Sequence, residues 1–72
     1  MMEYLAILER ASAGTWSAYV PELPGCTSAA PSREEVASSI RDAITVYLDE
    51  LRAKGSEPPK PVSLPELVSV AQ

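Results

Sequence analysis

The chain has 72 residues, 46% hydrophobic and 22% charged, a balance that sets it with globular domains and apart from disordered chains. Ten acidic against six basic side chains give a net charge of −4, the wrong sign for neutralising phosphates, so no direct nucleic-acid binding is expected of this chain alone. At this size folding removes only about 60% of the unfolded chain's surface, which makes a lone core marginal and self-association the expectation.

Met1–Leu8 is short, carries Glu3 and has no basic start ahead of a long apolar run, so it does not read as a signal peptide. No run approaches the roughly 18 apolar residues of a membrane span, and a cytoplasmic protein with no membrane partner is expected. Within Glu3–Arg10 the apolar residues occupy both parities, Tyr4, Ala6 and Leu8 against Leu5 and Ile7, as in an interior strand covered on both faces. Ala11-Ser12-Ala13-Gly14 supplies a turn. Thr15–Val20 then places Trp16, Ala18 and Val20 on one face and Thr15, Ser17 and Tyr19 on the other. The two runs predict an antiparallel hairpin.

Pro21 and Pro24 lack backbone donors and Gly25 relaxes steric limits, so Pro21–Gly25 must bulge or turn. Cys26–Ala30, a run of small residues, predicts a third strand against which another element can pack closely. Cys26 is the one cysteine and histidine is absent, which removes an intrachain disulfide, a zinc set and a Cys–His nucleophile. Its expected job is that of a small apolar filler.

Ser32 and Glu35 match a capping box, in which the hydroxyl takes the N–H of the third helical residue. Beyond it Val36, Ile40, Ala43, Ile44, Tyr47, Leu48 and Leu51 recur at three-and-four spacing and form one stripe for a core. Glu50 and Lys54 stand four apart in the favourable order, and Gly55 reads as the C-terminal cap. Ser56–Pro61, with three prolines, predicts an extended connector. Ser63-Leu64-Pro65-Glu66 predicts one capped turn and Leu67–Ala71 a last short strand.

The expected fold class is therefore α+β, in the order β-β-β-α-β, a mainly antiparallel sheet with one helix on one face, residues 1–72 forming one domain. A right-handed crossover brings the last strand into the sheet. The sheet face without a helix would expose apolar groups, and Tyr4, Leu5, Ile7 and Tyr19 are the expected contacts of a homo-oligomer.

Chemistry is sparse. Gly14, Gly25 and Gly55 are isolated, so no phosphate loop exists. Most carboxylates fall on the solvent side of the helix, and the strands offer only Glu3, Glu9 and Glu22 near their ends, so no catalytic pair, metal site or cofactor is expected. Trp16 and Tyr47 read as packing residues.

The hairpin, the string Pro21-Glu22-Leu23-Pro24-Gly25-Cys26 and the helix opened by Ser32-Arg33-Glu34-Glu35 resemble the HicB antitoxin family, from about Glu3 to Val70. The resemblance implies a partial RNase H-like fold and a non-enzymatic antitoxin that binds a small basic ribonuclease of the HicA type and blocks its access to mRNA. An acidic domain suits a basic partner. It looks like a stand-alone form, without the C-terminal DNA-binding domain of many members. The expected partner-binding residues are Pro21, Glu22, Leu23, Pro24, Gly25 and Cys26, with Glu22 and Leu23 touching the partner. In the alternative, the loop only links two strands and Leu23 closes one end of the core. A homo-oligomeric scaffold with no toxin is the competing function.

Overall fold

In the computed structural model, which describes residues 2–11 and 13–71, three short strands precede one long helix. Ser12 of the expected turn, and Met1 and Gln72 at the bounds of the expected domain, lie outside them. The strands are β1 (Ile7–Arg10), β2 (Trp16–Tyr19) and β3 (Thr27–Ala30), and the helix is α1 (Arg33–Ala53). The class is α+β, with sheet order β1-β2-β3 and both pairings antiparallel. Ile7 faces Tyr19 and Arg10 faces Trp16; Tyr19 in turn faces Thr27 and Trp16 faces Ala30.

The pleat sorts the side chains as their alternation dictates. Ala18, Val20, Leu23 and Cys26 join Val36, Ile40 and Leu48 in one buried cluster, and Tyr4, Ala6, Leu8, Trp16, Ile44 and Tyr47 pack on it. Small residues along β3 let α1 lie against it, and the Ser28 and Ser39 hydroxyls hydrogen-bond across that contact.

Both ends of α1 are closed by local chemistry. The Ser32 hydroxyl accepts from the Glu35 N–H at 3.1 Å. At the other end Ser56 N–H donates to the Leu51 carbonyl and Gly55 N–H to that of Arg52, the paired bonds of a Schellman motif, with Gly55 at φ +77°. The Glu50–Lys54 pair is not formed among the described residues; Arg52 sits 3.6 Å from Asp49, three residues before it.

The expected strand at Leu67–Ala71 is a difference between sequence and structure. These residues carry no ladder, nor does Ser63–Glu66 form a turn of helix. Pro61 and Pro65 remove donors on the approach. Within one chain the connector runs beside Met2–Leu5, ahead of the start of β1, so Leu67–Ala71 has no ladder to join without ordering at about 1–2 kcal/mol per residue. Leu64, Leu67, Val68 and Val70 stay 69–100% exposed, although full burial of each would contribute roughly 1.5–3 kcal/mol. The radius of gyration, 14.0 Å, exceeds the roughly 11 Å of a compact domain of this length, and the longest dimension reaches 48 Å.

Candidate functional site

The loop between β2 and β3 is two β-turns in tandem. Leu23 N–H bonds the Val20 carbonyl at 3.0 Å, closing a turn with Pro21 at its second position. Cys26 N–H bonds the Leu23 carbonyl at 3.0 Å, closing another with Pro24 second and Gly25 third, and a third bond of 3.2 Å joins Val20 N–H to the Cys26 carbonyl. Each proline presets the φ of its turn, and Gly25, at φ +82°, takes the left-handed conformation that a type II turn needs at its third position. A Cβ on Gly25 would meet nothing within 4 Å, so the demand is on the backbone and not on space.

The tandem turn drives Leu23, at the junction, into the core with no exposed surface. Cys26 is buried beside it, and desolvation pushes its thiol above the ordinary value. Leu23 and Cys26 are thus turned inward, into the core. Of the expected contact residues, Pro21, Pro24 and Gly25 are exposed and Glu22 is half-buried.

Glu22 has an internal role that the sequence did not disclose. Its Oε2 accepts the Val62 N–H at 2.7 Å, and its Oε1 is buried without a donor among the described residues. Three residues earlier on the connector, the Pro59 carbonyl accepts from the Tyr4 hydroxyl. These two bonds fasten the connector to the end of the sheet. No signal along the chain marks them, because both tail partners are backbone groups.

Of the expected oligomer contacts, Tyr4 packs on the core side, while Leu5 and Ile7 are half-buried outside the core cluster and Tyr19 is 42% exposed. Ile7 and Tyr19 stand opposite each other on the face without a helix. Among the described residues no group of three or more His, Cys, Asp or Glu side chains is placed to hold a metal ion.

Residues 4–72 match the profile described as the HicB-like antitoxin of bacterial toxin-antitoxin systems. The chain belongs to the HicB-like antitoxin family. Three similar relatives carry only the name UPF0150 protein. Ta0767 of Thermoplasma acidophilum is 29% identical over 59 residues, covering 82% of this chain and 86% of the relative. A protein of Archaeoglobus fulgidus is 33% identical over 48 residues, covering 67% and 70%. Protein ssr1765 of Synechocystis sp. is 35% identical over 57 residues, covering 79% and 72%. Among the described residues of this HicB-like chain, no helix is long and apolar enough to cross a membrane.

Proposed function

We propose that this HicB-like protein acts in the cytoplasm as an antitoxin that binds a small basic, mRNA-cleaving toxin of the HicA type and occludes the surface on which RNA would lie. Residues 1–72 act as one domain with the partial RNase H-like architecture, the loop offers Pro21, Glu22, Pro24 and Gly25 to the toxin, and the protein works as a homo-oligomer. The family match over residues 4–72 carries this reading. The net charge of −4 supports it, since a basic face built for phosphates attracts an acidic cover.

The test is reconstitution with the product of an adjacent gene. The reading expects a stable complex and protection of an mRNA from cleavage when this chain is present; cleavage undiminished by excess chain would sink it. Glu22→Lys combined with Pro24→Ala, in a variant with unchanged circular dichroism, is expected to weaken the complex, and unchanged affinity would remove the loop from the interface. The naked apolar residues of the tail favour the scaffold reading, which gains if no small basic protein is encoded nearby.

A further inference from the structure

Three observations converge on the segment after Val62. The first is a groove of about 740 Å³ between β1 and α1, walled by Ala6, Leu8, Ile40, Ile44 and Leu48, with none of residues 59–71 lining it. The neighbouring β1 is an edge strand, with backbone groups unpaired on its outer side. The second is Leu64, Leu67, Val68 and Val70, all large, apolar and mostly exposed. The third is the direction in which the tail leaves. The bonds from Tyr4 and Glu22 seat the connector beside Met2–Leu5, where Ser63, Leu64 and Pro65 still line the same hollow, and Leu67–Val70 beyond them remain mostly exposed.

We propose that residues 64–71 form an arm exchanged between two copies of this chain. Each arm adds as a strand to the outer edge of the other copy's β1. Val68 and Val70 share one face of the extended arm and enter that copy's groove, while Leu67, of opposite parity, extends the open sheet face beside Ile7. The arrangement is isologous: each copy gives one arm and receives one, so it closes as a pair.

Charge favours a second copy over a basic protein as the occupant. The arm carries a single charged residue, Glu66, so it offers a cationic surface almost nothing. At the groove rim stands Arg41, which has no ionic partner among the described residues. Glu3 lines the same groove, so a nearly neutral arm meets one basic and one acidic side chain there, and two acidic copies approach without a concentration of like charge.

The full chain decides the matter, with or without a toxin. Sedimentation is expected to show a dimer at tens of micromolar. Leu67→Asp with Val68→Asp alters exposed positions that touch no core, so a monomer with docked-free arms would ignore it; exchange predicts a dissociation constant raised at least about 100-fold. Two chains, Cys26→Ala with Thr45→Cys and Cys26→Ala with Val68→Cys, are mixed unfolded, refolded together and oxidised. A disulfide joining the two different chains is expected. A monomer up to millimolar concentration overturns the proposal, as does a dimer indifferent to the Asp pair. So does a chain carrying both cysteines that closes only on itself while the mixed chains stay unlinked.

Discussion

Leu23 shows how two hydrogen bonds can decide what a residue is for. As the last residue of one turn and the first of the next, it has its direction set by backbone geometry, and that direction is inward. Leu23→Ala is expected to cost about 2–5 kcal/mol in urea unfolding, a large share of the roughly 4–11 kcal/mol that a domain of this size holds. Cys26 behaves as a buried methyl-sized group with an inconvenient proton. Its folded-state thiol ionises at higher pH than the unfolded one, so its contribution is intact below the unfolded value and is lost as pH rises through the folded value. Stability is therefore expected to decline more steeply on the alkaline side for this chain than for Cys26→Ala, and iodoacetamide should label Cys26 only on unfolding.

At the scale of elements, α1 is secured at its ends and along one stripe. Ser32→Ala removes the cap acceptor and is expected to cost about 1 kcal/mol, read as a lower midpoint of thermal unfolding. The connector is held by fewer bonds. Glu22→Ala should abolish hydrogen-exchange protection at the Val62 amide, whereas Glu22→Gln, which keeps an acceptor oxygen, should retain part of it. α1 was legible in the sequence because its signals are local: a cap at fixed offset and a period that only a helix satisfies. The hairpin and the turn at Pro21–Gly25 were legible for the same reason. Strand lengths were less so, since Glu3–Ala6 has the composition of a strand but no ladder, and the pattern at Leu67–Ala71 specifies a face without specifying a neighbour. The bond from Val62 to Glu22 was not legible because its donor is a backbone amide 40 residues away.

On the scale of the whole molecule the core is small and one-sided, and five large apolar side chains in the tail, Val62, Leu64, Leu67, Val68 and Val70, lie outside it. Such a molecule has reason to associate, and its charge selects with what. On the proposed function, association with a basic toxin is expected to slow as salt rises, with the rate constant falling over the range where the Debye length shortens from about 30 to 8 Å. Stopped-flow measurements at several ionic strengths would expose a rate independent of salt, which would exclude charge as the guide.

The bond between Glu22 and Val62 makes the loop and the tail accounts of one equilibrium. A molecule that takes the Glu22 carboxylate from the Val62 N–H loosens the tether of the tail, and an event that breaks the same bond from the tail side frees the carboxylate, with equal coupling free energy in both directions.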